Sequence, residues 1–217
     1  RRISSPRSDP CTGSTPVAQI INRTLAKTGD PLRPLIAETG GLNAMIVDST
    51  ALPEQVVDAV VQSAFRSAGQ RCSALRLLCV HDSIADGLIE MVAGAMAELR
   101  VGDAAELATD VGPLIDAEAH AGIARHVERL LRSAKLVAAS ARGAAGATHQ
   151  VPIAFELARI EDMTEEVFGP VLHIVRWSGD VDALVDRINA LGYGLTLGVQ
   201  TRIDSRAERI ADRARVG

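Results

Sequence analysis

One cysteine stands in a setting that favours nucleophilic chemistry. Cys72 follows the stretch Ser67-Ala68-Gly69-Gln70-Arg71, which separates a periodic apolar segment from an apolar run. Gly69 can adopt backbone conformations that a Cβ atom disfavours, so a sharp turn is allowed here. Arg71 would favour the thiolate, the nucleophilic form of cysteine, if its side chain turns toward the sulfur. The alternative is a buried and inert cysteine, and this stretch alone does not decide between the two.

Two carboxylates lie beside glycines and are candidates for proton transfer or ligand binding. Glu38 begins Glu38-Thr39-Gly40-Gly41, and Glu166 lies within Glu165-Glu166-Val167-Phe168-Gly169-Pro170. Glycines let other groups approach the backbone closely, which is unusual for a plain turn. A carboxylate suits a general base because burial and nearby charges can move its pKa. The alternative interpretation is a solvated turn in the first case and a turn with a packed Phe168 in the second.

A third candidate is the beginning of a helix that could bind phosphate. The stretch Gly13-Ser14-Thr15-Pro16-Val17 opens a predicted helix that ends at about Lys27. Ser14 or Thr15 can cap this helix, and Pro16 suits its first turn. Free amides and the helix dipole at such an end favour an anion. Most caps of this kind bind nothing, so the stretch by itself is weak evidence for a ligand.

The composition argues against several classes of protein. The chain has 217 residues, of which 47 % are apolar and 2 % aromatic, and its net charge is −4. Scattered basic residues and few aromatics argue against a nucleic-acid surface, and no apolar run approaches the roughly 20 residues of a membrane span. The three cysteines include no pair at metal-ligand spacing and do not suggest a disulfide scaffold. We therefore expect a cytoplasmic protein without a metal site.

Short apolar strands alternate with helices along the chain, which predicts an α/β fold with a mostly parallel sheet. Beyond the first helix, the predicted helices span about residues 53–66, 82–100, 116–135, 181–190 and 205–215, and the strands 34–37, 43–47, 75–80, 151–158, 171–177 and 196–200. Residues 1–12 have no periodicity and are expected to be disordered, and residues 137–150 read as an Ala/Gly-rich connection. Cys79 is expected in the core, and His120 and His126 are expected to be exposed and without a chemical role.

Taken together and in order, these features resemble the aldehyde dehydrogenase superfamily. The stretch beginning at Glu38 is similar to its general-base motif, and Gly69-Gln70-Arg71-Cys72 is similar to its nucleophile motif. Glu38 precedes Cys72 by 34 residues, the interval found in the family. The stretch around Glu166 resembles the nicotinamide-ribose motif, and the stretch beginning at Gly13 resembles the phosphate-binding helix start. The resemblance covers about residues 12–217. It implies an aldehyde dehydrogenase-like catalytic domain with a mostly parallel sheet and a stub of the Rossmann-like cofactor domain.

Residues 35–47, 65–76 and 195–204 resemble, more narrowly, the dehydrogenase half of the bacterial proline utilization A family. That half oxidises L-glutamate γ-semialdehyde, the open form of pyrroline-5-carboxylate, to glutamate with NAD, the second step of proline catabolism. The resemblance is compatible with a proline dehydrogenase domain in a longer parent chain and with an oligomeric parent.

The resemblance also implies a role for each site residue. The Cys72 thiolate would attack the aldehyde, hydride transfer to NAD would leave a thioester, and Glu38 would activate the water that hydrolyses it. Ser73 would contact the substrate carboxylate and so favour an acidic aldehyde. The residues expected to hold NAD are Gly13, Ser14, Val17, Gly40, Glu166 and Phe168.

Departures from the family pattern set the expected domain organisation. We expect an unmatched head at 1–11 in place of a strand, the C-terminal part of the NAD-binding domain at 12–40, and a catalytic domain at 41–217 that lacks its C-terminal part. The family's upstream oxyanion-hole asparagine and ribose-binding lysine have no counterpart, and Ala18 stands where many members have glycine. We therefore expect the isolated chain to be poorly active or inactive, and the sequence does not decide between NAD and NADP.

Three other interpretations are open at this point. The chain could belong to an aldehyde dehydrogenase with a different substrate, or it could be a folded remnant without catalysis. A thiol hydrolase would share Cys72 but would need a histidine base, and the five histidines lie in unpromising settings.

Overall fold

The computed structural model describes residues 9–27, 34–143 and 146–217. The chain divides into two compact units, residues 1–40 and 41–217. The first eight residues of the expected head lie outside the described residues, and the assignment of the two units to a cofactor domain and a catalytic domain stays a prediction.

The first unit contains strand β1 (Asp9–Thr12), helix α1 (Thr15–Lys27) and strand β2 (Leu35–Glu38). The two strands are parallel, with Thr12 opposite Glu38, as a connection through a helix requires. The expectation of disorder is therefore wrong for residues 9–12, and a strand does lead into Gly13. This strand was not predicted, because β1 contains a proline and no apolar alternation. Its order comes from backbone pairing with β2.

The second unit contains most of the regular structure. Its helices are α2 (Pro53–Phe65), α3 (Asp82–Glu98), α4 (Ala117–Ser133), α5 (Val181–Ala190) and α6 (Asp204–Arg213). Its strands are β3 (Ala44–Val47), β4 (Leu77–His81), β5 (Arg100–Val101), β6 (Lys135–Ala139), β7 (Arg142–Gly143), β8 (Ile153–Glu156), β9 (Val171–Trp177) and β10 (Leu197–Gln200). Short 3₁₀ turns occupy Arg66–Gly69 and Ile160–Asp162.

Six strands of this unit form one sheet in the order β10-β3-β4-β9-β8-β6. Every neighbouring pair is parallel except β6 and β8, which confirms the predicted α/β fold with a mostly parallel sheet. Strand β6 was missed, because its short Ala-rich sequence directly follows α4 and resembles a connection. Since β3, β4, β9 and β10 run in the same direction, the residues just before them meet at one edge of the sheet.

The core lies on both faces of the sheet. Cys79, in β4, is fully buried as predicted, and burial raises the pKa of its thiol to about 12. Helix α3 buries Leu88, Val92 and Met96, whereas Met91 is 38 % exposed. Among the described residues, no helix combines the length and apolar character needed to cross a membrane.

Candidate active site

The nucleophile turn has a strained backbone. Ser67, Ala68 and Gly69 have consecutive φ values of 57°, 52° and 64°, in the left-handed region. For a residue with a Cβ atom this region costs roughly 1–2 kcal/mol. A Cβ atom on Gly69 would lie 2.2 Å from the carbonyl oxygen of Gly169, so only glycine fits there. The turn leaves Cys72 exposed, which suits a thiol that must meet a substrate.

Asn43 ties the cysteine turn to the edge of the sheet. Its Nδ2 donates to the carbonyl oxygens of Cys72 at 2.6 Å and Ala74 at 2.9 Å. Its Oδ1 accepts from the backbone amide of Thr196 at 3.2 Å. A Cβ atom on Gly41 would lie 2.6 Å from the same Oδ1, so the glycine leaves room for this buried side chain. Asn43 was not predicted as a site residue, although its position two residues after Gly41 was a usable signal.

The two residues before Cys72 also hold the turn. Gln70 Oε1 accepts from the amide of Ile115 at 2.8 Å, and its Nε2 donates to the carbonyl oxygen of Pro113 at 3.2 Å. Arg71 Nε donates to Ser67 Oγ at 3.1 Å, so this part of the exposed guanidinium contacts the turn itself. The hydrogen bonds of both side chains therefore stabilise the loop that carries Cys72.

Arg76 lies fully buried behind the cysteine turn. Its Nη2 donates to the carbonyl oxygen of Arg71 at 3.1 Å, and its Nη1 donates to that of Gly169 at 3.0 Å. Burial lowers the pKa of Arg76 to about 10, and the charges of Glu166 and of a Cys72 thiolate oppose that shift. The guanidinium thus stays positive at neutral pH. Arg76 was not predicted as a site residue, although a cation directly before the buried strand β4 was a usable signal.

Glu166 and Phe168 face a cavity of about 570 Å³, which is also lined by Gln70, Ile115, Ile123 and Arg129. The Glu166 side chain is 18 % exposed, and its Oε1 lies 3.8 Å from Arg76 Nη2. Burial raises the pKa of Glu166, while the Gly41 amide and Arg76 act in the opposite direction. The Phe168 ring is centred 5.4 Å from Arg76 Cζ. Two predicted cofactor residues therefore do share one concave surface.

The histidine prediction was wrong for His126, which is buried on the inner face of α4 between Ile123 and Leu130. Its Nε2 lies 2.9 Å from Nε2 of the fully buried His173, and Arg129 Nη2 lies 3.0 Å from its Nδ1. Burial lowers the pKa of His126 to about 4 and that of His173 to about 3. The charged residues around His126 in the sequence hide the helical spacing that places it on the buried face of α4. His120, also predicted to be exposed, is half-buried.

The remaining predicted cofactor residues and the predicted base lie in the first unit. Gly13 and Ser14 precede α1, Val17 is 47 % exposed on that helix, and Gly40 follows β2. Glu38 is exposed at the end of β2, and its carbonyl oxygen accepts from the Gly13 amide at 3.0 Å. The base and helix-start motifs are thus neighbours within this unit.

Two predicted contacts stay predictions. The approach of Glu38 to Cys72 joins different units, and Ser73 lies exposed directly after the nucleophile.

The model of the aldehyde dehydrogenase family matches residues 10–217. The chain belongs to the aldehyde dehydrogenase family. Bifunctional protein PutA of Escherichia coli (strain K12) is 50 % identical over 218 residues, which cover 95 % of this chain and 16 % of that protein. A mutant of Bradyrhizobium japonicum proline utilization A superposes with a TM-score of 0.92 and 54 % identity, covering 96 % of this chain and 21 % of that one. Both predicted resemblances are confirmed.

A more distant member of the family is the succinate-semialdehyde dehydrogenase [NADP(+)] of Mycobacterium avium (strain 104). It is 30 % identical over 209 residues, which cover 95 % of this chain and 43 % of that protein. This aldehyde dehydrogenase chain spans about a sixth of the length of the PutA proteins that it matches, with 16 % of each covered. The family implies a nicotinamide cofactor.

Proposed function

We propose that this chain carries the thiol of an NAD-dependent L-glutamate γ-semialdehyde dehydrogenase, together with part of its cofactor site. The observation that carries the proposal is the arrangement at the amino edge of the sheet. There an exposed Cys72 on a strained turn is tied through Arg76 to the loop of Glu166 and Gly169. The similarity to PutA supports the substrate, because the proline utilization A resemblance implies glutamate γ-semialdehyde.

The residues at the cavity fit a nicotinamide ribose. Glu166 Oε1 is buried and has no hydrogen-bond partner in the part of the chain that the structure describes. A buried oxygen of this kind normally finds a donor, and a ribose hydroxyl would supply one. When bound, the nicotinamide supplies a hydride acceptor. We infer that Glu166 holds the ribose, that Phe168 packs beside it, and that Gly13, Ser14, Val17 and Gly40 contact the rest of NAD.

Each protein group in the reaction has a separate task. The Cys72 thiolate attacks the aldehyde carbon, and the backbone amide of Cys72 is one donor that can stabilise the resulting oxyanion. Loss of hydride from that carbon leaves a thioester on the sulfur. Glu38 takes a proton from water, whose oxygen attacks the thioester and releases the carboxylic acid and the thiol. Ser73 binds the carboxylate at the other end of the substrate.

The experiment compares substrates and variants in the protein that contains these residues. We expect reduction of NAD with glutamate γ-semialdehyde to exceed that with succinate semialdehyde, and both to exceed that with propionaldehyde. Cys72→Ala should abolish turnover, whereas Cys11→Ala, at a thiol that no step of the reaction uses, should not change it. Reduction of NAD by Cys72→Ala would exclude the proposed chemistry.

The acidic-aldehyde class also includes succinate semialdehyde, which the name of the M. avium relative specifies together with NADP. We favour NAD and glutamate γ-semialdehyde because the similarity to PutA is greater, at 50 % identity against 30 %. Preferred reduction of NADP, or preferred oxidation of succinate semialdehyde, would assign the chain to the second class.

We also propose a parent protein that carries a proline dehydrogenase domain, is oligomeric and is cytoplasmic. The isolated chain is expected to turn over poorly, since it covers 16 % of each of the PutA proteins that it matches. An assay of the 217-residue chain tests this directly. Turnover equal to that of the full protein would contradict it.

A further inference from the structure

Asn43 is a buried amide whose side chain is bonded to the exposed turn that carries the nucleophile. Its Nδ2 donates to the carbonyl oxygens of Cys72 and Ala74, at 2.6 and 2.9 Å, which are the residues on either side of Ser73. We propose, on the basis of the proposed function, that Asn43 is a positioning residue: it holds the Cys72–Ser73 peptide in one orientation, on which the preference for an acidic aldehyde depends.

The bond from Asn43 is the one hydrogen bond that the Cys72–Ser73 peptide makes in the part of the chain that the structure describes. The preceding peptide is held separately, because the carbonyl oxygen of Arg71 accepts from Arg76 Nη2 at 3.1 Å. A trans peptide is planar, so its carbonyl oxygen and its N–H point in opposite directions. Binding the carbonyl oxygen of Cys72 therefore also directs the Ser73 N–H away from the buried amide.

Every polar atom of the Asn43 side chain is used in this arrangement. The two Nδ2 protons go to the two turn carbonyls, and Oδ1 accepts from the backbone amide of Thr196 at 3.2 Å. Only an amide side chain offers two N–H donors and a carbonyl acceptor on one planar group. A serine at this position can donate a single bond, and an ionised aspartate keeps the acceptor but loses both donors. Either substitution therefore releases the peptide next to Ser73.

Asn189 makes bonds of the same kind and is the matched control. Its Nδ2 donates to the carbonyl oxygen of Arg213 at 3.0 Å, and its Oδ1 accepts from the amide of Arg215 at 2.9 Å. These bonds join α5 to the end of α6 and involve no residue of the proposed reaction. Asn189→Ser thus reproduces the loss of a bridging amide without touching the cysteine turn.

The first test compares two substrates in the protein that contains these residues. The value of kcat/KM is measured for glutamate γ-semialdehyde and for propionaldehyde, and the ratio of the two does not depend on how much of the enzyme is folded. We expect Asn43→Ser to lower this ratio by about tenfold, the effect of losing one hydrogen bond to a charged group. Asn189→Ser should leave the ratio unchanged, even if it destabilises the protein.

A double variant shows whether Asn43 acts through Ser73. Ser73→Ala alone should lower the ratio, and adding Asn43→Ser should lower it no further, because both changes remove the same substrate contact. A wild-type ratio in Asn43→Ser, or additive losses in the double variant, would overturn the proposal. A wild-type protein without preference for the acidic aldehyde would instead contradict the proposed function.

The second test needs no substrate and uses amide hydrogen exchange in the 217-residue chain. The amides of Ala74 and Leu75 donate to backbone carbonyl oxygens, so their exchange reports on the order of the turn. We expect Asn43→Ser to speed the exchange of both amides by about tenfold, whereas Asn189→Ser should not.

Strand β9 reports on the core in the same measurement. If Asn43→Ser also speeds exchange in β9, Asn43→Asp replaces it, because it keeps the shape and the acceptor, and the same expectations apply. Unchanged exchange at Ala74 and Leu75 would show that the turn is fixed without Asn43 and would reject the positioning role, whatever the substrate assay shows.

Discussion

Replacing Gly69 by alanine tests whether the nucleophile turn and the cofactor loop are in fixed contact. The new Cβ atom would lie 2.2 Å from the Gly169 oxygen and 3.0 Å from the Ala64 oxygen, both backbone atoms. The positive φ costs roughly 1–2 kcal/mol, and forced movement of packed backbone adds about 1–3 kcal/mol. We therefore expect Gly69→Ala to lower the free energy of unfolding by about 2–5 kcal/mol.

Gly179→Ala provides a matched control. Gly179 has a φ of 81°, and nothing lies within 4 Å of the position of its added Cβ atom. It therefore carries only the conformational cost, roughly 1–2 kcal/mol. Urea unfolding of both variants, followed by circular dichroism, isolates the steric part as their difference. Equal destabilisation would mean that the turn relaxes freely, and the close approach of Gly69 to Gly169 would not constrain the site.

Two further predictions concern buried ionisable groups. The pKa values of His126 and His173, about 4 and about 3, lie below the ordinary 6.5, so the unfolded chain binds more protons and stability falls as pH decreases below 6.5. At pH 5, each histidine should lower the free energy of unfolding by about 2 kcal/mol. His126→Gln should therefore flatten the pH dependence of urea unfolding. An unchanged pH dependence would contradict its assignment to the buried histidines. The fully buried Asp48 accepts hydrogen bonds from Thr50 and Thr201 and pairs with Arg206. Burial by itself would raise the pKa of Asp48, but these contacts together lower it to about 2. Asp48→Asn should lower the free energy of unfolding in urea by about 2–4 kcal/mol. The control Asp58→Asn, at an exposed carboxylate, should leave it nearly unchanged. Equal effects of the two variants would show that the contacts of Asp48 do not stabilise the fold.

Local patterns in the sequence were enough to predict most elements of the fold. Helix α2 and strand β9 were predicted to within one residue, because apolar periodicity and punctuation by Gly, Pro and Asp act over short distances. Strands β1 and β6 were missed for the opposite reason. Their order depends on pairing with segments that lie far along the chain, and their own residues carry no alternation.

The candidate site shows the same division. Cys72, Glu166 and Phe168 belong to short motifs that the sequence displays directly. Arg76 and Asn43 were missed because their importance lies in what they contact, namely backbone carbonyls of other segments. A charged or amide side chain next to a buried strand is ambiguous in sequence, since only the fold reveals whether it has partners.

The candidate site lies at an unusual edge of the sheet. Ligands of open parallel sheets usually bind at the carboxyl ends of the strands, where the following helices begin and their dipoles favour anions. Here Asn43 and Arg76 directly precede β3 and β4. The thiol turn follows the carboxyl end of α2, and the Leu75 amide donates to the Ser63 carbonyl oxygen of that helix at 3.2 Å. A helix carboxyl end disfavours a thiolate. The turn also contacts Ile115 through Gln70, one residue before the Asp116 cap of α4, so the amino end of a helix lies at this edge as well.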